Sequence, residues 1–135
     1  LLVIGVTIWW NIKSDTEKSN LMVSAHQYEK AIEYDQNNSD AWMERSVSYN
    51  KSGDFKQGFE YLNKAVELNP TSHLGYRAWI RLRKIRDYDK ALADFDRLDS
   101  LTPNFVDAPW GENIDFLRGE CYFGIKDYRK AIDLF

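Results

Sequence analysis

Two short signatures return along this chain at a fixed interval. Asp54-Phe55 recurs 33 residues later as Asp87-Tyr88, and Leu68-Asn69-Pro70 recurs at the same interval as Leu101-Thr102-Pro103. The first signature appears again as Asp127-Tyr128, after 40 residues. A period of this size belongs to chains that stack one small supersecondary unit, none of which can bury its apolar face alone. The unit is clearest over Ser39–Thr71. There an apolar-periodic segment runs to a Gly53-Asp54 break, and a second segment runs to a stop at Asn69-Pro70. That is a helical hairpin.

The hairpin sets how the rest of the chain divides. Leu21, Ala25, Tyr28 and Ile32 keep the spacing of one helical face, which predicts one helix over 21–36. Asn37-Asn38 ends it, and Ser39 or Asp40 can cap the next. Asn37-Asn38-Ser39 also fits the glycosylation pattern and is read as a turn. Gly53 supplies a left-handed residue, Asp54 a cap for 55–68, and Pro70 a stop. Helices follow over 72–85, 88–101 and 112–125, and another begins at Tyr128. The second hairpin turns on Arg86-Asp87 without a glycine, so its turn is expected to be strained or tightened. The third copy is delayed by residues 102–111, TPNFVDAPWG, whose two prolines, Trp110 and Gly111 predict an ordered excursion. The array stops at Phe135 without a polar capping helix, which reads as an excerpt of a longer one.

Leu1–Trp10 differs from everything after it, being uncharged and apolar. Ten residues of helix span about 15 Å, half of a bilayer core of about 30 Å. Trp9-Trp10 followed by polar residues suits the interfacial end of a spanning helix, so residues 1–10 are read as a membrane tether. The alternative is a first helix buried against the next hairpin. The repeat domain then lies either in an aqueous compartment beside a membrane or in the cytoplasm.

Residue by residue, the chain resembles the tetratricopeptide repeat family. From Ser39 on, Trp42, Ser46, Tyr49, Gly53, Phe55, Gly58, Leu62, Ala65 and Pro70 stand where that family has its bulky, small, aromatic and breaking residues, and Arg45 departs. From Ser72 on, Tyr88, Ala91, Phe95 and Pro103 match. Gly75 stands where a Trp is expected, and Trp79 where a small residue is. From Glu112 on, Gly119, Tyr122, Tyr128, Ala131 and Phe135 match, with Asp115 and Arg118 departing. A degenerate copy over 5–38 has Ile8, Tyr28, Ala31 and Gln36 in phase. The resemblance implies an all-α fold of stacked hairpins wound into a right-handed superhelix. An N-terminal segment 1–18 precedes a repeat domain 19–135, with copies at 5–38, 39–71, 72–105 and 112–135 and the insertion at 102–111.

In such an array the first helix of each hairpin lines a concave groove for an extended peptide or a partner helix. The resemblance places Asp40, Met43, Val47, Asn50 and Lys51, then His73, Tyr76, Ile80, Arg83 and Lys84, then Asn113, Phe116, Glu120, Phe123 and Gly124 along it, and Arg77 is read as a groove residue with them. Aromatic and methionine-bearing surfaces suit protein partners. The alternative is that several of these pack against a neighbouring hairpin. Arg77, Arg81 and Lys84 form a basic cluster, read either as a patch for acidic peptide or anionic lipid or as a helix face neutralised by Asp87, Asp89, Asp94 and Asp96. The Lys and Asn of a chaperone-type carboxylate clamp are absent, Met43 with Val47 and Tyr76 with Ile80 standing there instead.

Other function classes find little support. Net charge is −3 with both signs interspersed, which speaks against nucleic acid as partner. One cysteine excludes an internal disulfide and a Cys-based metal site. His26 and His73 lack metal-type spacing, Cys121 reads as a packed small residue, and no phosphate-binding loop implies a cofactor. The sequence therefore reads as a non-enzymatic scaffold for a protein or peptide. The alternative is a regulatory or substrate-presenting segment of a larger enzyme.

Overall fold

The computed structural model describes residues 2–135, with side chains from residue 5 on. The described residues are helical throughout, without strands, and their contacts group into two units that divide between Leu68 and Asn69.

The first unit begins with α1 (Leu2–Asn11), followed by the hairpin of α2 (Asp15–Ser24) and α3 (Tyr28–Tyr34) and that of α4 (Ser39–Ser52) and α5 (Phe55–Leu68). Helix α2 starts on a capping box. Ser14 Oγ accepts from Glu17 N at 3.2 Å, and Glu17 Oε2 accepts from Ser14 N at 2.8 Å. Helices α2 and α3 approach at small residues, where buried Ser19 donates to the Ala31 carbonyl at 2.7 Å. Asn38 then joins the hairpins. Its Oδ1 caps α4 through Ala41 N at 3.2 Å, and its Nδ2 donates to Ser19 Oγ and Asn20 Oδ1, both at 2.9 Å.

The core of α4 and α5 is Ala41, Leu62, Ala65 and Val66. At the turn Gly53 takes φ +87°, and Asp54 Oδ1 accepts from Gln57 N at 3.2 Å to cap α5. Arg45, the departure from the repeat pattern, spans the two hairpins: its guanidinium lies 4.5 Å from the Tyr61 ring centroid, and its Nε lies 3.4 Å from Glu29 on α3.

The helix expected over 21–36 is two helices. The chain breaks at His26, which takes φ +56°, and α3 starts two residues later at Tyr28. The apolar spacing through Leu21, Ala25, Tyr28 and Ile32 crosses this break. The hairpin is therefore built on α2 and α3, and α1 stands outside it. Nor is α1 a buried helix. Trp10 packs edge-on against Tyr34 with centroids 5.7 Å apart, while Val6, Ile8, Trp9 and Ile12 are exposed. Among the described residues no helix is long and apolar enough to cross a membrane. Leu1, within the expected tether, lies outside the described residues.

The second unit opens with α6 (Pro70–Ile80), which runs on through a π-helical segment, Arg81–Ile85. Asn69 caps it through Ser72 N at 3.3 Å, so Pro70 both follows the end of α5 and occupies the first turn of α6, where its missing N–H costs nothing. Helix α7 (Tyr88–Leu101) returns. The excursion ends in a 3-10 turn at Pro109–Gly111, and α8 (Ile114–Gly124) and α9 (Tyr128–Leu134) form the last hairpin. Leu74, Ala78, Ala91, Phe95 and Leu98, with Ile114, Leu117, Cys121 and Ala131, make up the buried core. Arg118 on α8 ties back to Asp96 on α7 at 2.8 Å.

Candidate functional site

The turn without a glycine is widened. Where α4 ends on Gly53, the last turn of α6 opens into a π segment. The N–H groups of Arg86 and Asp87 both converge on the Arg81 carbonyl, the second at 2.9 Å. Arg86 takes the left-handed conformation itself, with φ +56°. This turn forms one wall of a groove of about 520 Å³. Leu82, Arg83 and Arg86 supply that wall, Phe116, Glu120, Phe123 and Gly124 of α8 face it, and Tyr88 and Phe135 complete the lining. Phe116 and Phe123 are 46% and 60% exposed, large apolar surface left open to solvent within a lined depression.

Arg83 bridges the groove. Its Nη1 donates to Glu120 Oε1 at 2.6 Å and its Nη2 to Glu112 Oε2 at 2.5 Å. The bond to Glu120 leads in raising the Arg83 pKa above its ordinary value, against the opposing effect of burial. Glu112 also accepts from Trp79 Nε1 at 3.2 Å, so the end of the excursion is fastened to α6.

Five of the residues expected on the groove therefore meet: Arg83, Phe116, Glu120, Phe123 and Gly124. The others lie elsewhere. Asn50 is buried against α5, because α4 and α5 approach so closely at Gly58 that a Cβ there would overlap the Asn50 amide. His73 and Ile80 are each 3% exposed and offer almost no surface. Arg77 turns inward to buried Asp94, donating from Nε at 2.9 Å and Nη2 at 2.7 Å, and Arg81 reaches the same carboxylate at 2.5 Å. The basic cluster on α6 is thus largely neutralised within its own hairpin. Lys84 lies 5.5 Å from the Trp79 ring centroid. Met43 and Val47 are half-buried on α4, in the first unit.

Tyr76 is covered by the excursion: Trp110 packs on it with centroids 5.1 Å apart and on Trp79 at 6.0 Å. This accounts for the exchange of bulk and smallness on α6. A Cβ at Gly75 would stand 3.1 Å from both Cβ and Cγ of Pro109, so the excursion occupies the space that a Trp side chain would otherwise fill. A smaller pocket of about 210 Å³ remains between Gly75, Tyr76, Leu98 and residues 107–110. Sequence reasoning missed Leu82, Arg86, Tyr88 and Phe135 as groove residues. Arg86 carried a readable signal, the absence of glycine at the turn.

Cys121 is fully buried, and burial pushes its thiol up to about 12, so it is held as a thiol. Among the described residues no group of three or more His, Cys, Asp or Glu side chains could hold a metal.

Consecutive helical hairpins with small residues at their crossings define a helical-repeat fold. Residues 17–73 match the family model for the tetratricopeptide repeat. Residues 17–73 therefore carry the tetratricopeptide pattern, whose repeats are generally protein–protein interaction modules. No curated protein matches the chain.

Proposed function

We propose that this protein is a non-enzymatic scaffold that holds a peptide or partner helix in the groove between the π-helical end of α6 and α8. The observation that carries the reading is the pairing of Phe116 and Phe123, both substantially exposed, across from Leu82 in a lined depression. Large aromatic side chains left in water at such a place are the anchors from which binding hot spots are built. Photo-crosslinking from a benzophenone side chain at position 120, followed by mass spectrometry of the adducts, tests it. Specific adducts that vanish in Phe116→Ala/Phe123→Ala, with helicity unchanged, support the reading; adducts indifferent to that change sink it.

A second reading concerns α1. We infer that it brings the scaffold to a bilayer surface, because Val6, Ile8, Trp9 and Ile12 are exposed and Lys13 lies 4.2 Å from the Trp9 ring centroid, a Trp–Lys pair suited to a headgroup boundary. Co-flotation with vesicles, lost in Ile8→Ser/Trp9→Ser, is the expected result. Flotation unaffected by that change would remove the tether from the proposal.

A further inference from the structure

The groove is electrically uneven. At one end Arg83 meets two carboxylates, Glu112 and Glu120, so that end carries an excess of negative charge. Glu120 also uses only one oxygen. Its Oε1 accepts from Arg83, while Oε2 is shielded from solvent and accepts no hydrogen bond. Glu120 Oε1 keeps acceptor capacity beside Arg83 for a donor that enters the groove. Arg86, about one turn past Arg83 at the C-terminal end of the same segment, also lines the groove, with no ion pair to any described residue. Leu82, Phe116 and Phe123 give the same groove its apolar surface.

The widened turn sets this arrangement. The three other hairpin turns also place a left-handed residue at the end of the first helix, at His26, Gly53 and Lys126. Only α6 reaches its own through a π segment. Such segments alter the direction of the side chains around them and are frequent at functional sites.

We infer, building on the groove reading above, that the occupant is a peptide segment of fixed polarity. It carries one bulky apolar anchor, a carboxylate on the side that reaches Arg86, and free N–H donors on the side that reaches Glu120. The reverse orientation sets the carboxylate against Glu112 and Glu120 and leaves Arg86 unmatched, so like-charge repulsion selects the register.

Fluorescence anisotropy of the full chain with three labelled decapeptides tests this. All share a Leu-Phe core, which is followed by two Asp, two Asn or two Lys. The Asp peptide is expected to bind about tenfold more tightly than the Asn peptide, the worth of one charge-assisted contact, with the Lys peptide weakest. Raising salt narrows the gap. Arg86→Asn, whose side chain tolerates the left-handed conformation, abolishes the preference without unfolding the turn. Arg86→Lys keeps the charge with a residue type that Lys126 already carries in the equivalent conformation, and it retains much of the preference. Phe123→Ala weakens every peptide alike.

Equal binding of the three peptides, still dependent on Phe123, overturns the acidic-segment inference and leaves the groove reading standing. Preference for Asp that survives in Arg86→Asn also overturns it. Binding of none of the peptides overturns the inference, and the crosslinking experiment then decides the groove reading separately. Concentration-dependent dimers in sedimentation, broken by Phe123→Ala, would make a second copy of the chain the occupant instead.

Discussion

Gly75 offers a quantitative test of why the excursion sits where it does. Its absent side chain is the space into which Pro109 fits, with a hypothetical Cβ only 3.1 Å from two Pro109 carbons and 3.4 Å from Leu98 Cδ2. Carbon atoms meet comfortably at about 3.5–4.0 Å, so Gly75→Ala needs the excursion to yield by a few tenths of an ångström. Ala gains about 1 kcal/mol over Gly in a helix, so this change should lie near neutral. Gly75→Leu has no such compensation. Its three further carbons must displace Pro109 and with it Trp110, which packs on Tyr76 and Trp79. Overpacking of this kind costs about 1–3 kcal/mol. The assay is urea unfolding of a double-mutant cycle that joins Gly75→Leu to Pro109→Gly. Pro109→Gly is destabilising alone, through a looser unfolded chain and lost contacts. If the two sites share one space, the pair should couple by about 0.5 kcal/mol or more, with the double variant better than the sum. Additivity within experimental error would refute the idea that Gly75 makes room for the excursion.

Other consequences follow from single contacts. Asp94→Ala removes the buried carboxylate that Arg77 and Arg81 share, and should lower unfolding stability by about 3 kcal/mol in a urea titration. Asn38→Ala removes the α4 cap together with the bonds to Ser19 and Asn20, and should cost about 1–2 kcal/mol, seen as a lower melting temperature. The backbone bond from Ser14 holds the Glu17 pKa below its ordinary value, so its contribution is complete above the usual carboxylate range and disappears as pH falls through the lowered pKa. Glu17→Gln should flatten that acid limb of the stability profile. Cys121, buried and raised to about 12, should resist iodoacetamide at pH 8 until denaturant opens the hairpin, whereas rapid native labelling would contradict the packing of α8.

The hairpin at 39–71 was legible because every level agreed: apolar period, Gly53 for the left-handed turn, Asp54 as cap and small residues at the crossing. Where one signal was missing, the reading failed in a way that has a physical cause. His26 takes the left-handed conformation that the eye assigns to glycine, and the apolar period runs unbroken across it, so α2 and α3 looked like one helix. A better marker was present three times over. His26-Gln27-Tyr28, Arg86-Asp87-Tyr88 and Lys126-Asp127-Tyr128 each put a left-handed residue, a polar residue and an aromatic in the order of Gly53-Asp54-Phe55. The groove was legible only in part, because repeat phase identifies which helix supplies a residue but not how the local turn rotates it. The π segment at Arg81–Ile85 and the close approach of α5 to Asn50 both lie below that resolution.

The departures from the repeat pattern in the second hairpin are not scattered. Gly75 and Trp79 on α6 receive the excursion, Trp79 with Arg83 holds Glu112 at its end, and Arg86 replaces the turn glycine beside the groove that Arg83 crosses. A neutral drift of surface residues would leave these positions independent. Here they form one connected set of contacts from the excursion through Arg83 to Glu120. Substitutions along that set should therefore couple to peptide affinity even where they touch no peptide, as coupling through contiguous contacts requires. Trp79→Phe removes only the indole donor to Glu112 while keeping an aromatic ring against Trp110. It should change the affinity of the Asp peptide by a factor of about two to five, the scale of one part-buried hydrogen bond. Trp42→Phe on α4 loses an equivalent indole bond, to the Gln36 carbonyl at 2.9 Å, in the other unit, and should leave that affinity unchanged. Equal effects from the two variants would mean that general stability, and not the connection through Glu112, governs the groove.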